Sequence, residues 1–197
     1  MSHDQALLDA LSRRPITIFS GSVYRAVIPG YDPLAPSTRG GRWSTHGGPS
    51  ILYTSRERDG ALAEIAFHWG QLTPIPKRRV ALHTLAVETS KTLRLIRADL
   101  GSLGVEDSQY ETINYQRTQE IGVAVAFLGC DGLIAPNARW PCDNLMIYME
   151  TCRSSVGSRS LTAAVSIGSN GHVSTAGFRR RRRTDASAAA WRSQCRA

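Results

Sequence analysis

The sequence is poor in cysteine and lacks the common metal and nucleotide motifs. Its 197 residues include four cysteines, at positions 130, 142, 152 and 195, so no CxxC half-site is present. Neither a disulfide framework nor a structural zinc site is therefore expected. The patterns GxxxxGK[ST], GxGxxG and HExxH are also absent. These absences argue against a P-loop nucleotide hydrolase, a Rossmann dehydrogenase and a zinc protease of the usual kinds.

Long hydrophobic runs are absent as well. The longest apolar stretch covers residues 121–130 and includes two glycines, whereas a membrane-spanning helix needs about 20 apolar residues. The first 15 residues carry Asp4 and Asp9 and contain no apolar signal core. The sequence thus predicts a soluble cytoplasmic protein that does not interact with a membrane.

Excess positive charge is confined to the C-terminal part of the chain. The formal net charge is +8, yet residues 154–197 contain eight arginines and a single acidic residue, Asp185. Residues 1–153 contain 16 Lys and Arg against 15 Asp and Glu. The body is nearly neutral, so its charge does not indicate nucleic-acid binding.

Composition divides the chain into two parts. Ser, Gly, Ala and Arg dominate residues 154–197, where large apolar residues are sparse. So little apolar surface does not offset an ordering entropy of about 1–2 kcal/mol per residue. The sequence therefore predicts one folded domain over residues 1–153 and a mostly disordered basic tail over residues 154–197, with room for one short strand at residues 161–167.

Hydrophobic periodicity in the body predicts a mixture of helices and strands. Helices are expected over residues 2–11, 59–69 and 111–128, and strands over residues 23–28, 51–54, 79–87, 92–96, 133–135 and 144–150. This order is not a regular βαβ alternation, so we expect an α+β domain. A Gly- and Pro-rich loop of about 20 residues, 29–50, is long enough to indicate a functional loop.

Four features of the body stand close together in the sequence. Arg25 lies in a predicted strand, Arg42 follows two glycines in the long loop, Tyr53 ends a short apolar strand, and Glu64 lies in the next helix. Each has an ordinary interpretation when taken alone. Arg25 could be an edge charge, the glycines a simple turn, Tyr53 a core aromatic residue and Glu64 a solvated surface residue.

Taken together, the four features indicate a more specific chemistry. Two arginines can bind a pyrophosphate through paired hydrogen bonds, and glycines let backbone approach a ligand closely. A tyrosine offers a flat face to a heteroaromatic ring, and a carboxylate can stabilise a sugar cation. These are the groups needed to hold a dinucleotide and break a bond between ribose and a base.

These motifs, together with two later ones, resemble a known family. The segments VYRA, GGRWS, ILYTS and ALAEI, at residues 23–65, are followed by CDGLIAPNAR at residues 130–139 and NLMIY at residues 144–148. In this order and spacing they resemble the RES domain over roughly residues 15–150. RES proteins are the toxins of bacterial RES–Xre toxin–antitoxin pairs.

The resemblance implies a fold and an activity. The implied fold is a compact core similar to that of ADP-ribosyltransferases, with a central cleft for NAD. Family members deplete NAD by cleaving the nicotinamide–ribose bond, with water, phosphate or a protein group as the acceptor. NAD is then the substrate, no metal is needed, and the enzyme is an NAD glycohydrolase or phosphorylase or an ADP-ribosyltransferase.

The resemblance also assigns roles to residues. Arg25 and Arg42 fall on the two family arginines and are expected to bind the phosphates of NAD. Tyr53 is expected to stack near nicotinamide, and Glu64 is expected to stabilise the ribosyl cation. The expected catalytic residues are Arg25, Tyr53 and Glu64. Asn137 stands where the family often has a serine, and its amide is expected to hydrogen-bond the ligand.

A protein partner follows from the same resemblance. An Xre-type antitoxin with a helix-turn-helix domain is expected to block the NAD cleft. Two alternatives to NAD depletion remain open. One is a mono-ADP-ribosyltransferase that modifies a target protein, and the other is an inactive or nucleic-acid-binding protein that uses the arginines of residues 179–183.

Overall fold

Helices and strands are mixed along the chain. The computed structural model describes residues 4–37, 39–74, 76 and 79–151, and the backbone of two strands beyond them. The elements in these residues are α1 (Gln5–Ser12), β1 (Ile16–Val27), β2 (Ile51–Ser55), α2 (Arg58–Gly70), β3 (Arg79–Arg94), α3 (Arg97–Ser102), α4 (Asp107–Tyr110), α5 (Gln116–Phe127), β4 (Gly132–Pro136), β5 (Asp143–Tyr148), β6 (Val156–Ile167) and β7 (Val173–Phe178). The predicted α+β class is confirmed.

Five of the strands close into a small barrel. The strand pairs β1–β2, β2–β5 and β5–β4 are antiparallel, β4 is parallel to β3, and an antiparallel β3–β1 pair closes the circle. The closing pair is long, since Ile16 lies opposite Leu93 at one end and Val27 opposite Ala81 at the other. Closure leaves fewer free strand edges than an open sheet of five strands has.

Every strand of the barrel contributes to the apolar core inside it. Side chains alternate between the two faces of a strand, so Leu145 and Ile147 of β5 lie in this core while Met146 and Tyr148 lie in another. The inner core consists of Val23, Leu34, Leu52, Leu85, Val87, Ile134, Leu145 and Ile147.

A larger core lies between the outer face of the barrel and helices α1, α3 and α5. Helix α1 starts at Asp4, whose carboxylate accepts hydrogen bonds from the backbone N–H groups of Ala6 and Leu7. Its buried leucines are Leu7, Leu8 and Leu11. Among the described residues, no helix combines the length and apolar character that a bilayer crossing requires.

Helix α2 packs on the β1–β3 pair through a third, smaller core. This core contains Ala61, Leu62 and Trp69 of α2 together with Val80 and Leu82 of β3. The predicted helix over residues 59–69 is thus confirmed, with its apolar face against the barrel. The packing places the remaining face of α2 beside β1 and the long loop that follows it.

Several predicted boundaries in the body are wrong. Strand β1 begins at Ile16 rather than at residue 23. The sequence did not predict its first half because this half is mostly exposed and shows no alternation of buried residues. The strands predicted over residues 79–87 and 92–96 belong to one continuous strand, β3. The polar stretch between them remains a strand because it pairs with β1. The helix predicted from residue 111 begins at Gln116, and a hydrogen-bonded turn centred on Thr112 precedes it.

The sheet continues beyond residue 153. Strand β6 pairs with β3 from Val156 opposite Val87 to Ser166 opposite Arg79, and β7 pairs with β6. The strand predicted over residues 161–167 lies within β6. The rest of β6 and all of β7 were expected to be disordered but form strands. The disorder expected for residues 154–155, 168–172 and 179–197 lies outside the described residues.

Gly122 lets α5 contact the loop that carries Arg42. A β-carbon at this position would lie 2.7 Å from the carbonyl carbon of Trp43 and closer still to its oxygen. We expect Gly122→Ala to lower the free energy of unfolding by about 1–3 kcal/mol through overpacking. Chemical denaturation measures this change.

Gly101→Ala is the matched control for that variant. Gly101 also lies in a helix, and a β-carbon there would meet no atom within 4 Å. The added methyl group should leave stability unchanged or raise it by up to about 1 kcal/mol. Equal stability of the two alanine variants would contradict the assigned contact between α5 and the loop.

Candidate active site

A cleft of about 330 Å³ lies between α2, β1, β2 and the loop over residues 29–50. The four residues singled out from the sequence, Arg25, Arg42, Tyr53 and Glu64, all line it. They come from a strand, a loop, a second strand and a helix. The structure therefore brings together side chains that no single local motif contains.

Arg25 is held at one side of the cleft by backbone carbonyl groups. It follows Val23 by two residues on β1 and so shares its strand face. Its guanidinium donates to the carbonyl oxygen of Tyr53 at 3.3 Å and to that of Ala35 at 2.6 Å. Burial lowers the pKa of Arg25 to about 10, against the opposing effect of Asp32. Arg25 therefore remains a partly desolvated cation at neutral pH.

Arg42 is held between two aromatic rings. Its guanidinium carbon lies 4.8 Å from the ring centre of Tyr110 and 4.6 Å from that of Tyr115. The same group donates hydrogen bonds to the carbonyl oxygens of Tyr110 and Thr112. Burial lowers the pKa of Arg42, while the two tyrosines and Glu64 act in the opposite direction. The two rings and the hydrogen bonds together hold a second half-buried cation in the cleft.

Tyr53 fixes the loop that carries this second arginine. Its hydroxyl oxygen accepts a hydrogen bond from the backbone N–H of Trp43 at 3.1 Å. A β-carbon on Gly41 would lie 2.8 Å from the same hydroxyl, and Gly40 has a φ of +80°. Both glycines are needed for the close approach and the turn. Burial raises the pKa of Tyr53 well above its usual value, so the hydroxyl stays protonated.

Glu64 lies on the cleft side of α2 and is half-buried. Its Oε1 accepts a hydrogen bond from the side-chain amide of Asn144 at 3.3 Å. The small side chain of Ala61, one turn earlier, also lines the cleft and leaves space in front of the carboxylate. Glu64 therefore lines the cleft together with the two arginines and Tyr53.

Asn137 is not among the residues that line the cleft in the described part of the chain. Its Oδ1 accepts hydrogen bonds from the backbone N–H groups of Arg139 at 2.7 Å and Trp140 at 3.1 Å. Its Nδ2 donates to Oδ1 of Asn144 at 2.8 Å and to the carbonyl oxygen of Gly60 at 3.3 Å. Asn137 thus lies behind the cleft and reaches it through Asn144.

His68, which was not predicted from the sequence, lines the cleft and is exposed at its mouth. It follows Glu64 by four residues, and side chains with this spacing lie on the same face of a helix. Partial burial lowers the pKa of His68; Glu64 opposes this effect, whereas the charges of Arg139 and Arg42 add to it. The i, i+4 spacing in the sequence was a signal that could have identified this residue.

Tyr115 and Asn144 also line the cleft and were not identified from the sequence. Tyr115 immediately precedes α5 and Asn144 lies on β5, so only the folded chain brings them to the cleft. In the part of the chain that the structure describes, no three His, Cys, Asp or Glu side chains form a group that could hold a metal ion. Two partly desolvated guanidinium groups and a carboxylate that line the same cleft suit an anionic ligand that carries an electron-poor centre.

Comparison with known proteins identifies the family of the chain. The RES domain family model matches residues 22–165. A chain of the M. tuberculosis MbcT–MbcA toxin–antitoxin complex has a similar fold, with a TM-score of 0.68 and 17% sequence identity, over 98% of this chain and 99% of that one. No curated protein sequence matches the chain. Because the family model covers more than half of the chain, the resemblance is confirmed and the protein belongs to the RES domain family.

Proposed function

We propose that this protein is the toxin of a bacterial toxin–antitoxin pair and depletes NAD by cleaving the bond between nicotinamide and ribose. One observation carries the proposal: Arg25, Arg42, Tyr53 and Glu64 meet in a single cleft. Membership of the RES family supports it. The fold shared with a chain of a toxin–antitoxin complex supports the toxin role.

In the proposed complex, the pyrophosphate of NAD lies between Arg25 and Arg42. Both guanidinium groups are partly desolvated, and burial lowers the pKa of each. A bound anion offsets that desolvation and receives charge-assisted hydrogen bonds. The contacts to carbonyl oxygens hold both groups in place before the ligand arrives, which reduces the ordering entropy of binding.

Glu64 acts on the ribose. When the glycosidic bond breaks, its electron pair moves to the nicotinamide ring, which leaves as a neutral molecule without a general acid. Positive charge develops on the ribosyl carbon, and the carboxylate of Glu64 stabilises it electrostatically. Tyr53 offers a flat ring beside which nicotinamide lies, while its hydroxyl keeps the loop fixed.

His68 receives the proton of the acceptor. As water attacks the ribosyl carbon, a new carbon–oxygen bond forms and one water proton passes to the imidazole and then to solvent. The neutral imidazole needed for this step is favoured by burial and by the positive charges of Arg139 and Arg42, against the effect of Glu64. The position of His68 at the mouth of the cleft gives the proton a route to bulk water.

The proposed biological setting is the bacterial cytoplasm, where NAD is available. The proposed partner is an antitoxin of the Xre type, which would block access to the cleft. The acceptor distinguishes three enzymatic alternatives. Free ADP-ribose identifies a hydrolase, ADP-ribose 1-phosphate identifies a phosphorylase, and an ADP-ribosylated protein identifies a transferase.

Glu64→Gln tests the chemical step. This substitution keeps the size of the side chain and removes its charge, so we expect nicotinamide release to fall by about 10²–10³-fold. Chromatography of nicotinamide after incubation of purified protein with NAD measures the rate. Release at the parental rate would exclude Glu64 from the reaction, and no release by the parent protein would overturn the proposed function.

Arg42→Lys tests the phosphate contact. Lysine keeps the charge but loses the planar group that stacks between Tyr110 and Tyr115, so we expect KM for NAD to rise about 10–100-fold. The matched control is Arg56→Lys, because Arg56 pairs with Asp143 and does not line the cleft. A KM that changes equally in the two variants would contradict the assignment.

His68→Ala tests the acceptor step. We expect hydrolysis to fall by about 10²-fold or more, and azide, an anionic nucleophile without a proton to lose, to restore nicotinamide release. In the parent protein the rate should fall as the pH drops through the pKa of His68, which burial places below its usual value, and the variant should lack this dependence. The exposed residue His46 gives the control variant, His46→Ala. Loss of activity without azide rescue would indicate a structural role.

A further inference from the structure

Three side chains form a continuous hydrogen-bonded row behind and into the cleft. Asn137 Nδ2 donates to Asn144 Oδ1 at 2.8 Å, and Asn144 Nδ2 donates to Glu64 Oε1 at 3.3 Å. Asn137 is 7% exposed and lies in the connection between β4 and β5, whereas Glu64 lies on α2. The row therefore connects the proposed catalytic carboxylate to a distant and well-buried part of the chain.

The direction of every hydrogen bond in this row is set by the backbone at its far end. The N–H groups of Arg139 and Trp140 both point to one atom of the Asn137 amide. Backbone N–H groups only donate, so that atom must be the oxygen and the other must be the nitrogen. The nitrogen in turn faces the carbonyl oxygen of Gly60, which only accepts.

This fixed orientation passes to the next amide. Since Asn137 presents its N–H group, Asn144 must present its oxygen in return, and its own N–H group then faces Glu64. We infer that Asn137 is a positioning residue that, through Asn144, holds one oxygen of the Glu64 carboxylate and leaves the other for the ribose. This inference rests on the proposed function of Glu64.

The row also explains how a residue outside the cleft lining affects the reaction. A reversed Asn144 amide would place its oxygen against the carboxylate oxygen of Glu64, and two acceptors repel each other. Glu64 would then lose the hydrogen bond that it accepts from Asn144. The orientation of Asn137 thus decides whether the carboxylate is held or displaced.

Asn137→Asp reverses the row with minimal change of shape. The substituted side chain keeps the oxygen that accepts from Arg139 and Trp140, but it replaces the donating nitrogen by an oxygen. We expect Asn144 to turn over and kcat for nicotinamide release to fall about 10–100-fold, with little change in KM. If Asn137 served only to accept the hydrogen bonds of Arg139 and Trp140, this variant would keep the parental kcat.

Asn114→Asp is the matched control, because Asn114 is exposed, lies outside the cleft and undergoes the same chemical change.

Asn144→Ala removes the middle of the row, and we expect a similar loss of kcat. The double variant Asn137→Asp, Asn144→Ala should be no worse than Asn144→Ala alone, because both changes act through one contact. Losses that multiply, or a parental kcat in Asn137→Asp, would overturn the inference.

A spectroscopic arm tests the row independently of activity. In the parent protein, Glu64→Gln should shift the side-chain amide resonances of Asn144, which Asn144→Ala identifies by their loss. In the Asn137→Asp background the same substitution should leave the amide N–H resonances of Asn144 almost unshifted, because these groups no longer face position 64.

If the parent protein released no nicotinamide, the proposed function would fail, while these spectra would still decide the orientation of the Asn144 amide. An Asn144 amide that does not respond to Glu64→Gln in the parent protein would overturn the inference.

Discussion

The pairing of β1 with β3 is the interaction on which the rest of the structure depends. It extends from Ile16 opposite Leu93 to Val27 opposite Ala81 and closes the barrel. Without it, the inner core would be open to water on one side, and α2 would lose the β1–β3 surface on which it packs. The same pairing fixes the position of Arg25 on β1, and packing of α2 on this surface sets the position of Glu64.

The cleft is built by contacts that hold charged groups in place before any ligand binds. Backbone carbonyl groups hold Arg25 and Arg42, and two aromatic rings restrict Arg42 further. The hydroxyl of Tyr53 and the glycines before Trp43 fix the connecting loop. Groups arranged in this way need little reorganisation during a reaction, which is the condition for strong electrostatic stabilisation.

Much of the fold was predictable wherever the local pattern of apolar residues indicates which side chains are buried. Helix α2 was predicted because its apolar residues recur at helical spacing, and the short strands β2, β4 and β5 because each contains a short apolar run. The first half of β1 and the polar part of β3 were not predicted, since they are stabilised by pairing with each other. An exposed or polar stretch that is held by strand pairing shows no hydrophobic periodicity.

The sequence by itself identified four residues that line the cleft, namely two arginines, a tyrosine and a glutamate, together with the glycines where the loop turns. It also determined the family, because the order and spacing of the motifs can be recognised in the sequence alone. Only the tertiary structure decided that Asn137 lies behind the cleft, and that His68, Tyr115 and Asn144 line it. The reason is physical: residue type sets what a side chain can do, whereas its contacts depend on strands and helices that are distant in the sequence.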